Sequence, residues 1–207
     1  MFSAVLKKDE VDIYTLDATL GRLTPSHDRI ELPQGWGPRH ISFSPTDPTI
    51  LLLADEGNGT ACRLTVCHVS HQGGVRVTAT VQLHATSKGL YPSEVLFEPN
   101  GRFAYVSIRD ITGAGRDSVA VLRVSSSHEV TLLGHQPTGY YPRSMALSPD
   151  GSILIVANQK GHSLWSFERN VTTGLLRNTG LGVHLDDAPA FVMLLSSRRT
   201  GRCRVRG

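Results

Sequence analysis

Three segments of the chain align with one another: GPRHISFSPTDPTILLLADE from residue 37, YPSEVLFEPNGRFAYVSIRD from 91 and YPRSMALSPDGSILIVANQK from 141. Each opens on a proline (Pro38, Pro92, Pro142), skips two residues, alternates apolar positions, turns, and runs into a second and more apolar strand. The turns read SPTDP, EPNG and SPDG. Pro-Asn-Gly and Pro-Asp-Gly turn a chain for physical reasons, since proline presets φ and glycine tolerates positive φ. A third strand follows each pair, at CRLTVCHV from 62, SVAVLRV from 118 and SLWSFER from 163. A more polar fourth can be read at RVTATVQLH and EVTLLGHQ, and more weakly at LLRNTGLGVHL. Four strands recurring about every 50 residues predict the antiparallel blades of a β-propeller. A β-sandwich is the rival all-β fold, but it leaves the repeated Pro-x-x strand and its fixed turn unexplained.

In a propeller the first strand of each blade lines the central channel, so matched repeat positions face the same end of it. Just after the proline stand Arg39-His40, Ser93-Glu94 and Arg143-Ser144. Where the second strand returns to that end stand Glu56, Arg109 and Gln159, with Asn158 beside the last. A wet channel mouth explains any one polar residue there. Charges of both signs at matched slots point instead to a site, because partly buried charges are costly to keep.

The chain's formal charge of +3 says little about its body. Five arginines lie in the last ten residues, RRTGRCRVRG, and without them 16 basic residues face 18 acidic ones. The body therefore lacks the charge of a nucleic-acid binder. No apolar run approaches the ~18 residues that span a membrane, and the start, MFSAVLKKDEVDIYTL, lacks a secretory apolar core. Three cysteines fit a reducing cytoplasm rather than a disulfide framework. Cys62 and Cys67 flank a strand-like run beside His68, but residues five apart on a strand face opposite sides and cannot share one metal ion. Neither a metal nor a cofactor is expected.

The motifs GPRH, ADE, SEVLFEPNGRFAYVSIR, DSVAVLRV, YPRSMALSPDGSILIVANQ and FERNVTTGLL resemble the lactonase family of seven-bladed propellers, from about residue 10 to residue 195. That family includes propeller-type 6-phosphogluconolactonases and carboxymuconate cyclases. The resemblance implies a cytoplasmic, metal-independent enzyme that hydrolyses a sugar-acid lactone, with 6-phosphogluconolactone the expected substrate. Lactonising cyclase chemistry on a carboxymuconate is the alternative, and a non-enzymatic binding platform a further one. Carried over by position, Arg39 and His40 match the Gly-Pro-Arg-His pair. Glu56 matches an Asn-Glu pair with Asp55 in place of the asparagine. Glu94 matches an acid at a strand start, and Arg109 an arginine after an asparagine that is here Ile108. Arg143 matches the Pro-Arg pair and Asn158-Gln159 the Ala-Asn-Gln end. The implied roles are catalytic for Arg39, His40, Glu56 and Glu94, and substrate-binding for Arg109, Arg143, Asn158 and Gln159. Arginines hold anions by charge-assisted hydrogen bonds, one can stabilise an oxyanion, and Glu56, Glu94 or His40 could take a proton from water. No Gly-x-Ser-x-Gly elbow is present for a serine nucleophile.

Seven such blades need far more than 207 residues. The expectation is a truncated arc over residues 1–195, holding two outer strands of one blade (10–32), three full blades and one inner strand, AFVMLL. Residues 196–207 are expected to form an Arg/Gly-rich, disordered tail without strand pairing. Open blade faces would leave apolar surface for self-association.

Overall fold

The computed structural model describes residues 1–57, 59, 61–70, 74–196 and 203–206. It consists of β-strands, and the one helical element among these residues is a 3-10 turn at Leu6–Lys8. A three-stranded sheet opens the chain, with β1 (Phe2–Val5), β2 (Glu10–Asp17) and β3 (Arg22–Glu31) in that order. Three four-stranded antiparallel blades follow. The first holds β4 (Pro38–Phe43), β5 (Ile50–Asp55), β6 (Arg63–Val69) and β7 (Val75–Gln82). The second holds β8 (Leu90–Phe97), β9 (Phe103–Asp110), β10 (Ser118–Val124) and β11 (Val130–Pro137). The third holds β12 (Pro142–Leu147), β13 (Ile153–Asn158), β14 (Ser163–Arg169) and β15 (Leu176–His184). A last pair joins β16 (Met193–Ser196) to β17 (Cys203–Arg206).

The repeat read from the sequence is the repeat of the fold. Pro38 pairs with Asp55, Pro92 with Ile108 and Pro142 with Asn158, so the three hairpins share one register. Two expectations need correction. The opening sheet has three strands rather than two, because FSAV folds back onto Val11 and its neighbours before the 3-10 turn. The tail is not free of strand pairing either. Within its described part, Cys203–Arg206 pairs antiparallel with Met193–Ser196, supplying the ladder partner that an inner strand needs. Residues 197–202 and 207 lie outside the described residues.

The first and second blades are buried on both faces, which explains why β5 and β9 read as unbroken apolar runs, whereas β13 of the third blade alternates between buried and half-buried residues. Alternate residues of β5 serve different neighbours. Leu51 and Leu53 pack with Val11 and Ile30 of the opening sheet, whereas Leu52 and Ala54 pack with Val95, Val106 and Leu122 of the second blade. Strand β9 repeats the division, with Ala104 and Val106 on one side and Phe103 and Tyr105 against Met145, Leu154 and Phe167 on the other. Cys62 and Cys67 follow this period and fall in different clusters. Burial pushes both thiols up to about 12.

At one end of the strands the turns interlock. Gly101 has φ +71°, and a Cβ there would lie 2.4 Å from Thr46 Oγ1. Glycine is thus required twice over, by backbone and by space. A cavity of about 620 Å³ lies at this end, with Thr46, Asp47, Arg102 and His128 among its walls. The polar slots of the repeat lie at the other end. No helix among the described residues is long and apolar enough to cross a membrane.

Candidate active site

The inner strands β4, β8 and β12 lie side by side, and their first residues reach from blade to blade. Arg39 Nη1 donates to the Ser93 carbonyl, and Ser93 Oγ donates to the Arg143 carbonyl at 3.0 Å. Glu94 Oε2 accepts the Met145 N–H at 2.6 Å, and Ser144 Oγ accepts the Val192 N–H at 3.2 Å. The expected ring of polar slots is also the stitching that holds the arc together.

Glu56 follows β5, where its N–H donates to the Gly37 carbonyl at 2.8 Å. Its Oε2 is shared by two guanidiniums, Arg109 Nη2 at 3.0 Å and Arg39 Nε at 3.1 Å. Arg109 is almost fully buried, its side chain 5% exposed, while the Arg39 side chain keeps 20% of its surface in solvent. Burial, with Arg109 next, lowers the Arg39 pKa. Arg109 is also fixed by Tyr141 Oη, which accepts from Nη1 at 3.4 Å, and by the Pro92 carbonyl, which accepts from Nη2 at 3.4 Å. Arg143 Nη1 donates to Gln159 Oε1 at 3.4 Å.

His40 Nε2 lies 3.8 Å from Glu94 Oε1. Its Nδ1 accepts the Val95 N–H at 3.4 Å, which leaves the proton of the neutral ring on Nε2, the side of Glu94. Burial first, then the charge of Arg39, lowers the His40 pKa. Burial raises the pKa of Glu94 against the pull of the Met145 and Ser144 hydrogen bonds and of Arg39. Both shifts run toward the uncharged form of each group, the kind of perturbation that acid–base sites carry.

Seven of the eight sequence-selected residues fall into three side-chain groups, Arg39–Glu56–Arg109, His40–Glu94 and Arg143–Gln159. Asn158 has a different environment. It is fully buried, its Oδ1 accepts from Thr138 Oγ1 at 3.1 Å, and its Nδ2 donates to Ser163 Oγ at 3.5 Å. Both ends of the amide are occupied, by the connection from the second blade and by the first residue of β14, so its geometry here is that of a structural contact. The signal pointing to substrate was its neighbour Gln159. Sequence reasoning missed Asp9, whose carboxylate accepts from Gly35 N at 2.9 Å and Gly37 N at 2.7 Å and so holds the approach to Arg39. It also missed Tyr141 and Lys160. Among the described residues no cluster of His, Cys, Asp or Glu is arranged to hold a metal ion.

Asp55, the residue before Glu56, is fully buried. Its Oδ2 accepts from Thr65 Oγ1 at 2.6 Å, while its Oδ1 has no partner among the described residues. Burial pushes its pKa up to about 7, against Thr65 and the charge of Arg63. An unfolded aspartate titrates near about 3.9. Between those values the folded chain keeps a proton that the unfolded chain has lost, so stability falls as pH rises through the window. Asp55→Asn should remove this slope, stabilising the chain at pH 8 far more than at pH 4. Urea denaturation of both proteins at the two pH values measures it, and an equal difference at both would count against a neutral buried Asp55.

Residues 1–193 match the family model described as "Lactonase, 7-bladed beta-propeller". The chain belongs to this lactonase family. The 6-phosphogluconolactonase of Formosa agariphila is 30% identical over 165 residues, covering 78% of this chain and 44% of the relative. That of Yersinia enterocolitica is 25% identical over 194 residues, covering 93% and 56%. This lactonase-family chain thus spans about half the length of the curated relatives it matches. The solved structure of a periplasmic gluconolactonase from Pseudomonas aeruginosa superposes with a TM-score of 0.80 at 23% identity, over 100% of this chain and 53% of that one. A Bacteroides uniformis structure gives 0.82 at 23%, over 91% and 52%. These two likenesses speak for the fold. The family's fold serves a periplasmic protein too, so it does not fix the cytoplasmic location expected from the sequence.

Proposed function

We propose that this chain carries the reactive arc of a hydrolase that opens a sugar-acid lactone, with 6-phosphogluconolactone as substrate and 6-phosphogluconate as product. The observation that carries the proposal is a two-arginine grip, Arg39 and Arg109 on one oxygen of Glu56, beside the His40–Glu94 pair. The names of the Formosa and Yersinia relatives support the substrate.

We divide the roles by the contacts each residue makes. Glu56 gives Oε2 to two cations, which makes it the holder of the arginines. His40 Nδ1 accepts the Val95 N–H, so the neutral ring carries its proton on Nε2 and has no nitrogen lone pair left to take another; we therefore assign His40 a place beside the base, its Nε2 3.8 Å from Glu94 Oε1. Glu94 is then the base. Water adds to the lactone carbonyl while its proton passes to Glu94. The new oxyanion is met by Arg39, whose partly exposed guanidinium is the one near this pair. Collapse breaks the ring C–O bond, and Glu94 returns the proton to the leaving alkoxide. Arg143 and Arg109 serve the anionic end of the substrate. All of this chemistry is assigned to side chains.

The test is hydrolysis of freshly prepared 6-phosphogluconolactone against its spontaneous rate, by the chain alone and with the remaining blades supplied from the Formosa relative. Acceleration is expected in the completed ring. Arg39→Ala should lower kcat/KM by roughly tenfold to a hundredfold, the worth of one charge-assisted contact. A rise in KM would mean an anion grip and a fall in kcat an oxyanion contact. No acceleration with the ring completed would refute the proposal.

A further inference from the structure

In the first and third blades the residue before the blade proline occupies a demanding place, whereas in the second Tyr91 lies within β8, paired with Arg109. In the first blade it is Gly37, with φ +57°, whose carbonyl accepts the Glu56 N–H at 2.8 Å. In the third blade the same bond is made by Tyr141, whose carbonyl accepts the Gln159 N–H at 2.9 Å. The backbone repeats as well, since Tyr141 has φ +66°. Glycine adopts that conformation freely, whereas a tyrosine there is strained. Persistent strain beside a site is evidence that the side chain is needed where the backbone throws it.

The Tyr141 ring is thrown onto two cations. Arg109 Cζ of the second blade lies 5.2 Å from its centroid and Lys160 Nζ lies 4.2 Å from it. The hydroxyl accepts from Arg109 Nη1, and the backbone N–H is held by Asp117 Oδ1 at 3.0 Å. Arg109 depends on such support. Its Nε is buried without a partner among the described residues, and Glu56 and the Pro92 carbonyl both engage Nη2. Tyr141 is the contact that engages the other end of the guanidinium.

We infer that Tyr141 is a positioning residue: its left-handed backbone sets a phenol ring across the blade boundary to fix the Arg109 guanidinium for an anionic ligand and to bring Lys160 up as an additional cation. The functional meaning rests on the lactonase reading, in which Arg109 holds the anion. Tyr141 would then tune the grip on the charged end of the substrate, while the water-activating pair is left to His40 and Glu94.

The direct measurement is hydrogen exchange at the Arg109 Nε–H, followed by NMR and identified by its loss in Arg109→Lys. In the parent chain this buried proton should exchange slowly. In Tyr141→Gly, where the backbone strain is relieved, exchange should speed up by about tenfold or more, the scale of a lost cation–π contact and hydrogen bond, with no loss in Tm. Tyr141→Asn, whose small side chain also tolerates positive φ, covers the case in which the glycine chain folds poorly. Tyr141→Phe keeps the ring and should restore most of the protection. Unchanged Arg109 protection in the Gly and Asn variants would overturn the inference, as would a fall in protection that merely follows a fall in Tm. Calorimetry with 6-phosphogluconate adds the functional arm, with Kd expected to weaken about tenfold in Tyr141→Gly and to recover in Tyr141→Phe. If the parent chain does not bind 6-phosphogluconate, the lactonase reading suffers, and the exchange data still decide the role of Tyr141.

Discussion

Glu94→Gln lowers kcat for 6-phosphogluconolactone hydrolysis in the completed ring by about 10²–10⁴, the range that a positioned general base supplies. The substitution is nearly isosteric, and its amide oxygen can still accept the Met145 N–H that Glu94 Oε2 accepts at 2.6 Å. Stability should therefore change little while proton transfer is lost. The pH profile separates this role from simple packing. Burial raises the Glu94 pKa, so the acid limb of kcat/KM should lie above the ordinary carboxylate range and disappear in the variant. Glu56→Gln is the contrast. Glu56 holds Arg39 and Arg109 through one oxygen, and weakening that hold should raise KM more than it shifts the acid limb. A Glu94→Gln enzyme retaining more than a tenth of the parent kcat would move the base elsewhere, with His40 next to be tested.

The blades were legible because one pattern does two jobs. A proline that cannot donate to a ladder marks the strand start, and a Pro-Asn-Gly or Pro-Asp-Gly turn fixes how far the chain runs before returning. With both ends set, register follows, and Pro38, Pro92 and Pro142 find equivalent partners. Register also made the polar slots legible, since residues at matched places must meet at one end. What each side chain does there is decided by neighbours from another blade, which spacing along one strand does not encode. The neutral His40 ring carries its proton on Nε2 because Nδ1 accepts the Val95 N–H, 55 residues away. Asn158 turns to Thr138, in the connection from the second blade, and to Ser163, the first residue of β14. Tyr141 was not legible, because the second blade carries Tyr91 in the same slot as an ordinary residue of β8, and only the fold distinguishes the left-handed backbone at Tyr141. The strand at Cys203–Arg206 was hidden by its composition, because a run rich in arginine and glycine reads as a tail. The base chosen from Glu56, Glu94 and His40 likewise needed the contacts, since composition at the slots is the same for all three roles.

Arg169→Met should destabilise the fold by about 3–5 kcal/mol, the cost of leaving one member of a buried ion pair without its partner. Arg169 ends β14 in the third blade, and its Nη2 lies 3.5 Å from Oε2 of Glu98, which opens the Pro-Asn-Gly turn of the second. The two side chains are 1% and 0% exposed. The Arg169 Nε also donates to the Gly151 carbonyl, so one guanidinium joins two turns across the blade boundary. Glu98 is kept in place by the N–H groups of Asn100 at 3.1 Å and Arg102 at 2.8 Å. Those bonds persist in the variant and hold the carboxylate inside the protein with its cation gone. Methionine fills much of the arginine stem's volume, so the loss reflects charge more than a cavity. Adding Glu98→Gln to Arg169→Met should recover a large part of the stability, because the uncompensated charge goes while the turn keeps an acceptor. Urea denaturation of the three proteins measures both steps. A single variant within about 1 kcal/mol of the parent would place Glu98 in contact with water. A double variant no more stable than the single one would assign the loss to the Gly151 contact, and the boundary between the second and third blades would then depend on that hydrogen bond rather than on the ion pair.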